Sequence, residues 1–286
     1  MAAPADLPDE ARQAEGAPEP ESSERPGGVR DVKSAARTLE LLELLAARQN
    51  RPARLRELSE ALGMPRSSCY ALLRTLAKYG WVRTDTSGTM YGIGIRALIA
   101  GTSYLDTDPY LRIAKPVLDH LGEQLDETFH FGRLDGTDVV YLATRESGQY
   151  LRPYSRVGRR LPAYSTSLGK ALLAERPAEE LANHLPPTLA ALTPHTLTDR
   201  EALVEDLAHT RERGYAVDQQ ENSVGLHCVA LPMRYATPPL DAISCSVPLA
   251  RLTPAREADI VAAMRRAREE MERSATSVAM GIAGGI

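Results

Sequence analysis

Apolar residues in the first third of the chain recur at helical spacing. Cys69, Leu72, Leu73 and Leu76 fall at i, i+3, i+4 and i+7, which predicts a helix over 65–78 with Ser67, Tyr70, Ala71, Arg74 and Lys78 on its other face. Leu55, Leu58 and Leu62 mark a shorter helix before it. Gly63 stands where a left-handed residue closes that helix, and Pro65 opens the next with its φ already set. Two helices joined by such a turn form a helix-turn-helix, whose second helix enters the DNA major groove. Upstream, Val32, Ala35, Leu39, Leu42 and Ala46 share one face of a predicted supporting helix that starts at Asp31. After Gly80 the pattern becomes strand-like at 81–83 and again at 90–93, around a turn at Asp85–Gly88, so the reader carries a hairpin wing.

Ile95, Leu98, Ile99, Thr102 and Leu105 then trace an amphipathic linker helix, whose apolar face is expected to pack on a second copy of the chain. Helical spacing returns with Leu111, Val117, Leu118, Leu121 and Leu125. A hairpin follows, Thr128–Phe131 with 138–143, turning at Asp135-Gly136. Helices are predicted from Ser167 to Glu175 and from Asp199 to Arg213, and strands at 215–218, 228–231 and 242–247. A closing helix from Pro254 to about Ser277 keeps Ile260, Met264, Ala267 and Met271 together. Helices outside a mainly antiparallel sheet make an α+β domain of the kind that holds a small molecule in a cleft. The expected organisation is a disordered acidic tail over 1–28, a winged helix-turn-helix over 29–94, the linker helix over 95–107, an effector-binding domain over 108–280 and a short tail over 281–286.

Charge sharpens this picture. The net charge of −4 hides a basic block at 29–100, where twelve Lys and Arg face six acids, set between two segments of net −5 each. One part is suited to phosphate and the rest is not. Residues 1–28, rich in Pro, Glu, Ala and Gly, have too few large apolar side chains to order themselves. No apolar run approaches the ~20 residues of a membrane helix, and the N-terminus lacks the plan of a signal peptide, so a cytoplasmic protein without membrane contact is expected. Cys69, Cys228 and Cys245 form no C-x-x-C pair, the six histidines show no ligand spacing, and neither a metal nor a cofactor is expected.

The chain resembles the IclR-family transcriptional regulators from about Val32 to Met280. The resemblance is carried by Ser34-Ala35-Ala36-Arg37 with Leu39-Glu40, by Gly63-Met64-Pro65-Arg66-Ser67-Ser68, by Gly158–Lys170 (GRRLPAYSTSLGK) and by Gly214–Ala230 (GYAVDQQENSVGLHCVA). It implies a ligand-responsive regulator of an operator, with a winged reader, a C-terminal α+β effector domain resembling a GAF fold, and homodimers able to pair as tetramers. Ala71 departs from the family, which commonly has a basic residue there. DNA contacts are therefore expected from Arg66, Ser67, Ser68, Tyr70 and Arg74, with phosphate support from Arg37 and Arg83. The alternative for each serine is helix capping, and for Arg74 a solvated cation.

The same resemblance implies a small, carboxylate-bearing effector. Its matching positions are Tyr150 and Pro153 on a lid, Ser167 and Leu168 at a helix start, and Asp218, Cys228, Ser244 and Ser246 on strands. A helix start offers unpaired amides to an anion, and serines two apart on a strand share a face. Taken singly, each serine also fits an ordinary strand position. Asp218 suits a ligand hydroxyl or the ordering of backbone, and Tyr150, Arg152 and Tyr154 hint at an aromatic or acidic ligand. Ser167-Leu168-Gly169-Lys170 is a literal S-x-x-K, yet the chain has no K-T-G and no suitable S-D-N, so an acyl hydrolase is not expected. A sensor that binds a protein partner through the wing is the remaining alternative, separable from DNA binding by salt dependence.

Overall fold

Leucine burial decides the packing of the first unit. The computed structural model describes residues 32–48 and 51–283, of which 277–283 by backbone alone. The expected tail at 1–28 lies outside the described residues. The chain divides into two compact units between Ala97 and Leu98. In the first, α1 (Lys33–Ala47), α2 (Leu55–Ala61) and α3 (Arg66–Lys78) surround a core of Leu41, Leu45, Leu58, Cys69, Leu73 and Leu76. The stripe predicted for α1 is not the buried one. Leu39 is 62% exposed and Val32, Ala35 and Ala46 are exposed, whereas Leu41 and Leu45, one turn apart, are buried. Leucines at 39, 41, 42, 44 and 45 nearly ring the helix, so spacing could not select the face.

The turn between α2 and α3 is built as its residues require. Gly63 has φ +56°, and buried Ser59 donates its hydroxyl to the Met64 carbonyl at 2.9 Å. Pro65 is the N-cap rather than the first helical residue. Strands β1 (Ala53–Arg54), β2 (Val82–Thr84) and β3 (Met90–Ile93) form an antiparallel sheet in the order β1-β3-β2. β1, too short to leave a sequence pattern, exists because it pairs with Met90 and Tyr91 of β3. The wing tip is held by Asp85, which accepts from the amides of Thr89 and Met90 at 2.8 and 2.9 Å and from the Ser87 hydroxyl at 2.5 Å. These bonds favour the charged form and pull its pKa down to about 2. Helix α4 (Ile95–Thr107) follows with Ile95, Leu98, Ile99 and Tyr104 exposed.

The second unit is one six-stranded antiparallel sheet with helices on both faces. It contains α5 (Pro109–Leu125), β4 (Thr128–Asp135), β5 (Asp138–Arg145), β6 (Arg160–Pro162), α6 (Ser167–Ala174), the short α7 (Ala178–Leu181), α8 (Arg200–Arg213), β7 (Ala216–Gln219), β8 (Leu226–Pro232), β9 (Asp241–Pro248) and α9 (Pro254–Ala283). The strand order is β6-β5-β4-β9-β8-β7. Strand alternation separates two cores. Phe129, Phe131, Val217, Val229, Ile243, Cys245 and Val247 meet α5 and α9, and Ile260, Met264, Ala267 and Met271 of α9 are buried there as predicted. Ala216, Ala230 and Ala242 meet Leu168, Ala171 and Leu172 of α6 and Leu203 and Leu207 of α8. α9 runs to Ala283, past the expected end near Ser277 and into the expected tail; no proline interrupts it after Pro254.

Arg133 on β4 ties this unit together. Its guanidinium donates to both carboxylate oxygens of buried Asp241 at 2.6 and 2.8 Å, to Asp108 at 2.5 Å and to the Tyr104 hydroxyl at 2.6 Å. Asp108 also caps α5 by accepting from the amides of Tyr110 and Leu111.

Candidate nucleic-acid and ligand sites

The exposed face of α3 carries Arg66, Ser67, Ser68, Tyr70, Ala71 and Arg74, every one of them open to solvent. Neither Ser67 nor Ser68 caps the helix: its N-cap is Pro65, with no side-chain capping bond. Arg37 is placed differently from its expected phosphate role, since it donates to Glu40 at 2.9 Å and to the Leu62 carbonyl at 3.0 Å, closing the end of α2 against α1. Arg83 lies across Gly92, its cross-strand neighbour in the wing, where a Cβ would stand 3.4 Å from Nε.

The second site is assembled on the α6 face of the large sheet. Thr128, His130, Tyr141, Asp218, Cys228, Ser244 and Ser246 project to this face from β4, β5, β7, β8 and β9, and all are buried. His130 sits directly opposite Ser244, and Cys228 opposite both Asp218 and Ser246. At a bulge where Leu142 of β5 stands unpaired between Phe131↔Ala143 and the next pair, Gly132 meets Tyr141, whose ring lies edge-on to the His130 ring at 4.9 Å.

Two glycines let α6 approach this surface. A Cβ on Gly132 would stand 2.8 Å from Val139 and 3.0 Å from Leu168, and one on Gly169 only 2.1 Å from the Ala163 carbonyl oxygen. The helix start therefore comes down on the sheet, capped by Thr166, whose hydroxyl accepts from the Gly169 amide at 3.1 Å. The Leu168 side chain is fully buried in the apolar cluster, and its amide, in the first turn of α6, has no partner within the helix.

The polar groups differ in how they are satisfied. Asp218 accepts from the amides of Glu221 at 2.7 Å and Asn222 at 3.4 Å, so it orders the turn after β7. Burial first, and the charge of Glu221 second, push its pKa up to about 7. The Cys228 thiol donates to Ser246 at 3.2 Å, and burial raises its pKa far above the usual thiol value. His130 reaches Thr144 through Nδ1 at 3.1 Å, and burial together with the charge of Arg159 pulls its pKa down to about 3, so it is neutral. The remaining atoms, His130 Nε2, Tyr141 Oη, Ser167 Oγ and Ser244 Oγ, have no hydrogen-bond partner among the described residues, although each residue is more than nine-tenths buried. Behind α6, Lys170 is 1% exposed and holds Glu221 at 2.6 Å and Asp206 at 2.9 Å.

Of the expected ligand positions, Ser167, Leu168, Asp218, Cys228, Ser244 and Ser246 come together. The Tyr150 side chain is fully exposed in the loop after β5, and Pro153 is half-buried there. Sequence reasoning missed His130, Tyr141 and Thr144. The polar–apolar alternation of Thr128-Phe129-His130-Phe131 carried a signal for His130; Tyr141 joins only through the bulge. A separate groove of about 380 Å³, lined by Ile113, Pro116, Val117, His120, Glu270 and Ser274, lies on the opposite face between α5 and α9.

Comparison with known proteins bears on both sites. The family pattern described as bacterial transcriptional regulator IclR C-terminal matches residues 102–273, and that of the IclR helix-turn-helix domain matches residues 34–86. The transcriptional repressor IclR of Escherichia coli is 34% identical over 244 residues, 84% of this chain and 89% of that one. The regulator XynR of Escherichia coli is 34% identical over 203 residues, 71% of this chain and 80% of that one. The crystal structure of an IclR transcriptional regulator from Alicyclobacillus acidocaldarius superposes with a TM-score of 0.75 at 25% identity, covering 85% of this chain and 99% of that one.

Proposed function

The chain belongs to the IclR family of bacterial transcriptional regulators, built from a DNA-binding helix-turn-helix and a C-terminal effector domain, and on that premise we propose which residues do each task. The effector is a small carboxylate-bearing metabolite that lies between the start of α6 and the polar face of the sheet, against Ser167, the Leu168 amide, Ser244, Ser246 and His130. The observation that carries this reading is the set of polar atoms left without partners on buried residues that share one face. None of these four atoms is sealed from solvent, so together they describe an open polar surface that a polar ligand completes. Asp218 and Cys228 shape the far wall. Tyr150 and Pro153 belong to the loop over the entrance.

Arg66, Ser67, Ser68, Tyr70 and Arg74 read the operator, with Arg83 on phosphate. Arg37 supports them by fixing α1 against α2. The protein acts in the cytoplasm, where a bacterial operator lies, as a homodimer that covers the exposed apolar stripe of α4 and pairs further as a tetramer, and it catalyses no reaction. Duplexes selected from a random pool by the full-length chain provide the test. Arg74→Ala is expected to weaken binding to the selected duplex by about 1–3 kcal/mol at fixed salt, and parent affinity should fall steeply as salt rises, through counterion release. Unchanged affinity in Arg74→Ala removes that residue from the interface, and salt-independent binding would favour a protein partner instead.

A further inference from the structure

The strand at the edge of the sheet brings one more charge to the polar face. The Tyr141 amide donates to the Arg159 carbonyl at 2.9 Å, while the Gly158 amide donates to the Tyr141 carbonyl at 2.8 Å. Gly158 has φ +78°, so Gly158 and Arg159 together oppose Tyr141 in a bulge where the loop enters β6. One residue on, Arg160 pairs with Val140 and turns to Asp135 and Asp138, away from the polar face. Leu161, again two beyond Arg159, packs into the α6-side cluster. Alternation therefore puts the Arg159 side chain on the same face as Tyr141, His130 and Ser244.

This guanidinium is half-buried and has no carboxylate within 4 Å among the described residues; it donates to the Tyr154 carbonyl at 3.0 Å, in the loop that also holds Tyr150 and Pro153. On that face burial pulls the His130 pKa down and pushes those of Asp218 and Cys228 up, and Glu221, behind α6, is taken by Lys170. An arginine without a carboxylate partner, beside hydroxyls with no hydrogen-bond partner and the His130 imidazole, is arranged to receive a planar anion by two parallel N–H bonds.

We propose that Arg159 is the specificity-determining residue of the effector site: it binds the carboxylate of a compact hydroxy- or oxo-carboxylate whose second polar group reaches His130 and Ser244. The proposal rests on the effector-site reading given above. It also fixes the direction of the ligand, with its anion toward the β6 edge and its neutral end toward β9. The strands between, at about 4.8 Å each, place Arg159 and Ser244 about 14 Å apart along the sheet, which a bent arginine and a ligand of a few carbons span together. Because Arg159 also holds the Tyr154 carbonyl, an arriving carboxylate draws that contact into the site.

The test uses the full-length chain and a set of monocarboxylates from acetate and lactate to benzoate and 4-hydroxybenzoate, each beside its primary amide, read by thermal shift and calorimetry. The parent is expected to bind at least one hydroxylated acid and to ignore its amide. Arg159→Gln should lose at least tenfold in affinity for that acid with its melting temperature unchanged, narrow the difference between acid and amide, and recover in part as Arg159→Lys. Ser244→Ala should weaken acid and amide alike. If Arg159→Gln binds the acid as the parent does while Ser244→Ala weakens it, the pocket stands and Arg159 is not its carboxylate reader. If neither variant changes binding, or no acid of the set binds, the effector-site reading itself falls.

Discussion

Asp218→Asn is expected to make the second unit more stable at neutral and alkaline pH, with a gain that grows from about pH 4 to about pH 7 and then levels off. Asp218 is buried, and its carboxylate is pushed up to about 7 from an ordinary value near 3.8 by desolvation and by Glu221. The folded chain thus keeps a proton that the unfolded chain has lost. A raised native pKa means that stability is greatest below about pH 4 and declines as pH rises to about 7. The full shift corresponds to about 4 kcal/mol, at about 1.36 kcal/mol per unit, a ceiling because Glu221 and Lys170 share the titration.

Asparagine keeps the oxygen that accepts from the Glu221 amide at 2.7 Å and removes the charge. Urea unfolding of parent and variant, followed by far-UV circular dichroism, measures the difference; Trp81, the one tryptophan, reports separately on the winged unit. The stability difference should widen by about 2–3 kcal/mol between pH 5 and pH 8. A pH-independent difference would refute the reasoning, because a carboxylate ionised throughout contributes no slope. Carboxylate-ligand affinity of the parent is expected to decline above about pH 7, where Asp218 becomes an anion facing an anion, and the same substitution should flatten that decline.

Two further substitutions test what holds α6 in place. Lys170→Met leaves Glu221 and Asp206 facing one another without their shared ammonium and should cost about 3–5 kcal/mol in urea unfolding; adding Glu221→Gln and Asp206→Asn should return at least half of that, and a triple variant as unstable as the single one would show that packing rather than charge is at stake. Gly169→Ala presses a methyl against the Ala163 backbone, so a loss of about 1–3 kcal/mol is expected together with loss of ligand binding, while a variant of parental stability and affinity would show that the helix start has room to move.

Much of this architecture was legible where local spacing has one solution. The α3 stripe of Cys69, Leu73 and Leu76 left a single face to bury, and Ile260 through Met271 did the same for α9. Five leucines within seven positions of α1 left several faces, and packing against α2 and α3 chose Leu41 and Leu45. The partners of the ligand face were hidden for another reason. Tyr141 meets His130 through a bulge, Arg159 meets Tyr141 through another, and β6 exists only as a pairing with β5, so each depends on long-range register that no local period records. Gly169 was visible as a motif letter, but its reason, contact with Ala163, lies in the tertiary structure.

The alternation of the large sheet also separates two tasks along each strand. On β4 and β9, Phe129, Phe131, Ile243, Cys245 and Val247 hold the scaffold, while Thr128, His130, Ser244 and Ser246 stand between them on the other face. Each strand thus interleaves a core-facing half with a half on the candidate ligand face, one residue apart. On the proposed placement of the effector, substitution at every second position retunes ligand recognition while leaving the core residues in place.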